Sequence, residues 1–484
     1  MEVKIQKLNE SFIRVLAEPS VLQELSERFT FSVEGAKFSP AFKKGYWDGK
    51  IRLLNRKQEI YAGLAENIAT FCAENNYSIE YDNFKDEFSE KEAIEFIKSL
   101  NLPAKFQLRD YQFDSFIHAI RNKRQTILSP TSSGKSLLIY LITRYYNAKL
   151  TGRTLIIVPT INLVSQLASD FDEYGNDEDS RVHHISGGRS KHSDSEITIS
   201  TWESIYKLDK EYFKQFKTII VDECHGAKAD SIKSLMEKAT DCVYRFGFTG
   251  TLDNIQCNKL VIEGLFGPIR VATTTKKLIE NKHASNFQIK AIVLKYPIEI
   301  SKQVTMAKDY QVEIDAIVGN KSRNNFIKNL VFSLPGNTLL LFRLVSKHGK
   351  ELLKLLKDEN SGRNIYYVSG EIKGEDREKI RKVMESETNA IIIASEGCFS
   401  TGVNIPNLHN LIFSSPSKAR IRNLQSIGRV LRLHKSKTIA TLYDIADDLT
   451  YKGKRNYTIN HFIERIKIYN SEGFEYKIYP VSLK

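Results

Sequence analysis

TIIVDECHGA (218–227) decides how this chain is read. Thr218 to Val221 form a short β-branched and aliphatic run, the composition of a strand buried on both faces of a parallel sheet. The run ends on two adjacent carboxylates, Asp222 and Glu223, followed by Cys224 and His225. Ligands of open α/β sheets sit at the carboxyl ends of the strands. Two acids at that place ask for a cation to face them.

Runs of the same kind recur on either side. QTILSP, RTLIIVP, EITIST, KTIIVDE and VYRFGFT follow one another from about residue 105, with helical stretches between them. The pattern pauses near NKHASNFQIK (281–290) and resumes with NTLLLFR, NIYYVSG, NAIIIAS, HNLIFSS and TIATLYD. That predicts two α/β domains in tandem, each built on a parallel sheet with crossover helices. Ahead of them, residues 1–95 read as a small α+β module. EKEAIEFIKSLNLP (90–103) predicts an amphipathic helix stopped before Pro103. The expected domains are 1–95, 96–284 and 285–484.

With 484 residues the chain is too long for one core. Lys and Arg outnumber Asp and Glu by 71 to 58, a net charge of +13. Such an excess favours a polyanionic partner, nucleic acid before membrane. Five cysteines, none in a C-x-x-C pair, read as reduced thiols of a cytosolic protein. The N-terminus MEVKIQKLNE has no apolar signal segment, and no uncharged run reaches the ~20 residues of a membrane span. The expected compartment is the cytoplasm, that of the host if the chain is phage-encoded. His183, His184 and His192 are expected in an exposed loop.

SPTSSGKS (129–136) follows the run QTIL and precedes the apolar stretch LLIYLITRYY. Strand, glycine-containing loop and helix are the context of a phosphate-binding loop. Thr131, Ser132, Ser133 and Gly134 would cradle phosphate oxygens with their N–H groups. Lys135 would reach the β and γ phosphates, and the Ser136 hydroxyl would take a position on Mg²⁺. The fingerprint's first glycine is Ser129 here. The loop explains the acid pair: Asp222 is expected as the second anchor of that Mg²⁺, and Glu223 as the general base for the attacking water. His225 is expected to link the ATP site to the rest of the machine.

These elements resemble the superfamily 2 helicases, and further motifs arrive in that superfamily's order. LRDYQ (108–112) looks like the adenine-recognition motif, which implicates Arg109 and Gln112. IIVPTINLVSQ (156–166) resembles motif Ia, ISTWES (199–204) the next strand-contacting motif, and GFTGTL (247–252) motif III. LLLFRLVSKHGKEL (339–352) and YYVSGEIKGEDRE (366–378) resemble motifs IV and IVa. ASEGCFSTGVNIPNL (394–408) resembles motif V, and QSIGRVLR (425–432) motif VI. With KKGYWDGKIRLL (43–54) in a small N-terminal domain, the whole is most similar to the phage UvsW-type branched-DNA helicases. The resemblance implies two RecA-like domains after a small α+β domain, and an ATP-dependent enzyme acting on forks, Holliday junctions and R-loops. It places Gly402, Asn404 and Gln425 near the nucleotide.

Phosphoryl transfer needs positive charge where the transition state develops it. Arg429 and Arg432, three apart, are expected to share a helix face and to act as arginine fingers when the second domain closes over ATP. The backbone of nucleic acid is expected to be held by Thr160, Thr201, Ser369, Gly370 and Thr401. Trp202 reads either as a base-stacking platform or as core packing. Phe42, Lys43, Lys44, Tyr46, Trp47, Lys50 and Arg52 read either as a duplex-holding surface or as a small core with lysines reaching outward. DNA, preferably branched, is the expected partner, with an RNA–DNA hybrid as another substrate and a monomer as the working form. An RNA helicase and an ATP-gated clamp without turnover are the rival readings.

Overall fold

A computed structural model describes residues 1–33, 35–81, 88–150, 152–175, 182–185, 190–228, 230–253, 255–359, 362–372, 374–400, 405–415 and 420–484. The chain divides into two compact units. One is Met1–Ser129 with Gly134–Ala272; the other is Pro130–Ser133 with Thr273–Lys484.

The first unit is organised by a seven-stranded sheet. Its order is Ile269–Val271, Arg124–Leu128, Tyr244–Thr249, Phe216–Asp222, Arg153–Val158, Ile197–Thr201 and Val182–Ile185, and every pairing is parallel. Leu155, Ile156, Ile157, Ile219, Ile220 and Val221 are fully buried. Helices cover both faces, which is why these strands read as continuous aliphatic runs. Register decides what happens at their ends. Asp222 lies opposite Phe248, and Thr249 lies opposite Leu128, so three adjacent strands finish level. The segments that leave Leu128, Asp222 and Thr249 therefore start from one place.

The N-terminal module carries a four-stranded sheet, ordered Glu59–Tyr61, Phe12–Leu16, Glu2–Lys7 and Ser78–Glu80. Only the last pairing is parallel. Its core is continuous with that of the large sheet: Val3, Val15, Leu64 and Phe71 belong to the same apolar cluster as Ile219, Leu235 and Leu265. Polar bonds join the same surfaces. Arg245, fully buried, donates to Ser11 Oγ at 2.9 Å, to the carbonyls of Cys242 and Met236 at 3.0 and 3.1 Å, and to that of Ala239. Tyr61 donates to Glu237 at 2.6 Å. Gly63 approaches so closely that a Cβ there would fall 2.2 Å from the Glu263 carbonyl.

The second unit holds another seven-stranded parallel sheet, in the order Ile365–Val368, Ile391–Ser395, Thr338–Phe342, Asn410–Phe413, Ile439–Asp448, Asn286–Lys295 and Tyr476–Ser482. Arg323 and Asp447 form a fully buried ion pair under it at 2.7 Å. Glu313 accepts from the N–H groups of Tyr457 and Thr458, closing the start of the helix Tyr457–Glu472.

Several expectations change here. The pause near 281–290 is no pause: Asn286–Lys295 is a ten-residue strand between two partners. Gln288 and Lys290 hid it by interrupting the aliphatic run. Tyr476–Ser482 was hidden by Pro480, which an edge strand tolerates because its outer N–H needs no partner. His183 and His184 lie in the edge strand Val182–Ile185, and not in a loop. The helix expected at 90–103 runs from Glu90 to Ser99. No helix among the described residues is long and apolar enough to cross a membrane.

Candidate active site

The phosphate loop runs from the end of Arg124–Leu128 to the helix Lys135–Lys149. Gly134 caps that helix at φ 77°, and Ser132 also takes a positive φ of 71°. Ser129 does not, so serine serves where the fingerprint has glycine. Ser129 donates its N–H to the Thr249 carbonyl at 2.8 Å, and its own carbonyl accepts from Lys135 Nζ at 3.4 Å. Ser133 Oγ donates to the Pro130 carbonyl at 2.6 Å, tightening the turn.

Lys135 also faces the acid pair. Its Nζ lies 3.6 Å from Glu223 Oε1. Glu223 takes φ 53°, a left-handed conformation that costs a side-chain-bearing residue about 1–2 kcal/mol. On the other side of the carboxylate, His225 Nδ1 is 3.1 Å from Glu223 Oε2. Thr249 Oγ1 lies 2.9 Å from the same nitrogen and 3.3 Å from the same oxygen. Burial alone would raise the pKa of Glu223, but the Lys135 charge and the His225 hydrogen bond outweigh it and hold the group below the usual range. Asp222 goes the opposite way: burial first, then the neighbouring Glu223 charge, push its carboxyl up. Glu223 is thus kept as an anion, the form a general base needs. Asp222 is a buried carboxyl short of positive charge, the condition a divalent cation relieves.

Ser136 lies in the first turn of the loop helix, and its Oγ lies 2.8 Å from Tyr174 Oη. Hydroxyl and carboxylate oxygens are hard donors suited to Mg²⁺, and this ion keeps several waters and phosphate oxygens as ligands. No cluster of three metal-binding side chains exists among the described residues, so an all-protein cage is absent there. Ser136 and Asp222 offer oxygen donors of the kind that Mg²⁺ takes beside phosphate oxygens.

Gln112 is buried against the loop. Its Nε2 donates to the Gly134 carbonyl at 3.2 Å, and its Oε1 accepts from the Arg109 N–H at 3.0 Å. Arg109 in turn donates to Tyr111 Oη at 2.7 Å. With Leu108 and Phe113, Arg109 lines a cavity of about 480 Å³. Thr131 lies in the loop's turn, half-buried.

In the second unit, Gln425 and Arg429 lie in the helix Arg420–Val430. That helix ends at Val430, so Arg432 sits two residues beyond regular helix and not on it, as i, i+3 spacing had suggested. Leu431 still donates to the Ile427 carbonyl at 3.2 Å, which keeps the chain wound up to it. Thr401, Gly402 and Asn404 lie outside the described residues.

The nucleic-acid candidates divide. Gly370 is exposed, and Thr160 opens the helix Ile161–Glu173 with a hydroxyl that is buried and unpartnered. Thr201 and Ser369 are buried, 3% and 0% exposed. Thr201 Oγ1 is tied to Ser204 Oγ at 2.9 Å, and Ser369 Oγ accepts from Glu371 N at 3.4 Å. Each hydroxyl thus bonds within the turn that follows its strand. Trp202 packs partly buried against the core, which favours the packing reading. Phe42 and Tyr46 are 38% and 84% exposed, and Lys43, Lys44 and Lys50 are exposed beside them, so this stretch is surface and not core.

Thr249 and Tyr174 were not singled out from the sequence. Thr249 could have been found, as the hydroxyl residue ending VYRFGFT level with the acid pair. Tyr174 carries no such signal; it meets Ser136 only because two helices lie side by side.

Comparison with known proteins settles the family. The T4 "ATP-dependent DNA helicase uvsW" is 36% identical over 506 aligned positions, covering 100% of both chains. This chain belongs to the UvsW-type family of superfamily 2 DNA helicases. Residues 2–82 match "DNA helicase UvsW, N-terminal", residues 105–254 "Type III restriction enzyme, res subunit" and residues 322–434 "Helicase conserved C-terminal domain". The crystal structure of T4 UvsW aligns with this helicase at a TM-score of 0.53, covering 100% of each chain at 36% identity. A Type ISP restriction-modification enzyme, LlaBIII bound to DNA, shares the fold at a TM-score of 0.58 and 14% identity, covering 85% of this chain and 34% of that one. The helicase is thus an ATP-dependent enzyme with nucleic acid as its partner, built from two RecA-like domains and a small α+β N-terminal region.

Proposed function

We propose that this helicase remodels branched DNA, forks, four-way junctions and R-loops, by ATP-driven movement along one strand. The Lys135–Glu223–His225–Thr249 cluster at the level ends of three parallel strands carries the reading. It supplies an ammonium for the β and γ phosphates and an ionised carboxylate held by an imidazole and a hydroxyl. Mg²⁺, held by Ser136 and Asp222, would neutralise charge on the phosphates. Glu223 accepts a proton from the attacking water while Lys135 holds the γ-phosphate. Arg429 and Arg432, from the second unit, supply the charge that matches the transition state, a contribution of about 10³ to 10⁵ in rate for such fingers. Thr249, within GFTGTL (247–252), would pass the state of Glu223 and His225 to the residues that follow it, 250–252.

The N-terminal module, residues 1–95, is proposed as a duplex-holding element. Phe42 and Tyr46 expose apolar rings among Lys43, Lys44 and Lys50, a surface suited to backbone phosphates flanking a junction. The domain limits 96–284 and 285–484 are proposed for the two motor domains, and Thr160, Gly370 and Thr401 remain the proposed backbone contacts.

The deciding experiment compares ATP hydrolysis by wild type and Glu223→Gln in the presence of forked DNA, four-way junctions, linear duplex, RNA–DNA hybrid and single-stranded RNA. Stimulation should be greatest with the branched DNAs and abolished in Glu223→Gln. Equal stimulation by all DNAs would remove the branched-DNA reading and leave a general DNA motor. Stimulation greatest with RNA would make it an RNA helicase, and wild-type turnover equal to that of Glu223→Gln would make it a clamp.

A further inference from the structure

The last carbonyls of an α-helix have no partner within it. A glycine just past the end commonly lets the chain turn back and cover them. The helix Arg420–Val430 has none: it is followed by Leu431, Arg432, Leu433 and His434. The last carbonyl of the helix and the two that follow it are instead taken by two residues from elsewhere in the second unit. Lys437 Nζ donates to the Val430 carbonyl at 2.6 Å and to the Leu408 carbonyl at 3.0 Å. Ser285 donates its N–H to the Leu431 carbonyl at 2.8 Å and its Oγ to the Arg432 carbonyl at 3.0 Å. Three successive carbonyls, 430 to 432, are thereby fixed, and the last two belong to the peptide groups on either side of Arg432.

Both side chains are buried, Ser285 at 4% exposed and Lys437 at 8%. A buried ammonium is a costly way to close a helix, because taking it out of water penalises its charge. Burial, and then the neighbouring Arg432 charge, lower its pKa to about 7. The two positions also reach different parts of the chain. Leu408 ends the stretch 394–408 that resembles motif V, and Ser285 immediately precedes the strand Asn286–Lys295, shortly after the chain enters this unit at Thr273.

We infer that Ser285 and Lys437 are positioning residues for the arginine pair, tying the backbone beneath Arg432 to the entry strand and to the end of the 394–408 stretch. They touch no nucleotide; they fix where the guanidinium groups start from. A misplacement of about 1 Å at a catalytic group can lower a rate by ~10²-fold, so loss of either tie should be felt in turnover and not in binding. The inference rests on Arg429 and Arg432 serving hydrolysis.

The test measures DNA-stimulated ATP hydrolysis, and the affinity for a fluorescent ADP analogue, for wild type, Ser285→Ala, Lys437→Met, Arg432→Ala and the doubles Arg432→Ala/Ser285→Ala and Arg432→Ala/Lys437→Met. Ser285→Ala removes one hydroxyl and keeps the N–H bond to Leu431, so the test survives even if Lys437→Met folds poorly. Ser285→Ala and Lys437→Met should each lower kcat by roughly 3- to 30-fold, with KM for ATP and ADP affinity within ~2-fold of wild type. In the Arg432→Ala background they should cause no further loss, because the group they position is gone. Wild-type kcat in both single variants, or the same fold-loss repeated on top of Arg432→Ala, would overturn the inference. Full activity in Arg432→Ala would instead sink the arginine reading on which it rests.

Discussion

Gln112 Nε2 donates to the carbonyl of Gly134 at 3.2 Å, and a Cβ added to Gly134 would fall 2.5 Å from that same nitrogen. One side chain therefore holds the phosphate loop and also occupies the space a Cβ would take at its end. The left-handed φ of 77° favours glycine there independently. Gly134→Ala should lower kcat/KM for ATP by about 10²-fold or more, through a displaced loop. Gln112→Ala should relieve the clash and restore part of the activity of Gly134→Ala, measured in the double variant. A double variant no better than Gly134→Ala would show that backbone strain alone decides this position.

Glu223 sits between Lys135 and His225, with Thr249 hydrogen-bonded to both Glu223 and His225. Glu223→Gln should lower kcat by about 10²- to 10⁴-fold while ATP affinity stays within a few-fold, since the amide keeps the shape and loses the base. Thr249→Val should leave ATP binding intact and weaken the stimulation of hydrolysis by DNA more than the unstimulated rate. Steady-state kinetics with and without DNA separate the two effects.

Arg323 and Asp447 are both fully buried, and Tyr296 also donates to Asp447 at 2.8 Å. Replacing Asp447 with Asn strands a buried guanidinium, a loss of about 3–5 kcal/mol. Arg323→Met/Asp447→Leu removes both charges and should recover much of it. Urea denaturation of wild type and the two variants checks the order.

His348 is fully buried beside Ser415, whose Oγ lies 3.2 Å from its Nδ1. Burial, and then the Arg323 charge, lower its pKa to about 3. The unfolded chain takes up this proton near pH 6.5, the folded chain only near 3. Stability should therefore be full above about pH 6.5 and fall as the pH drops below it, the His348 contribution approaching ~1.4 kcal/mol per pH unit. His348→Gln should flatten the decline of melting temperature between pH 7 and pH 5. An unchanged slope would remove His348 from the acid response.

Much of the site was legible in the one-dimensional chain because its chemistry is local. SPTSSGKS and DECH each place several functional groups within one strand–loop unit, and each unit reports its own strand by an aliphatic run. Residues that act across units of sequence were not legible. Ser136 meets Tyr174, and Lys437 meets Leu408, through contacts that no spacing encodes. The hydroxyls of Thr201 and Ser369 looked available because a strand end is usually solvated; neighbouring turns bury them instead.

The sequence by itself determined two parallel-sheet domains, the phosphate loop, the acid pair and the basic character of the chain, since each follows from hydrophobic period, glycine placement and charge. Tertiary structure alone decided that Glu223 bends back at positive φ between lysine and histidine, that Asn286–Lys295 is a strand, and that the backbone under Arg432 hangs from Ser285 and Lys437. The reason is physical. Periodicity reports which face of an element avoids water, while the partner of a buried hydrogen-bonding group is fixed only when distant segments fold into reach of it.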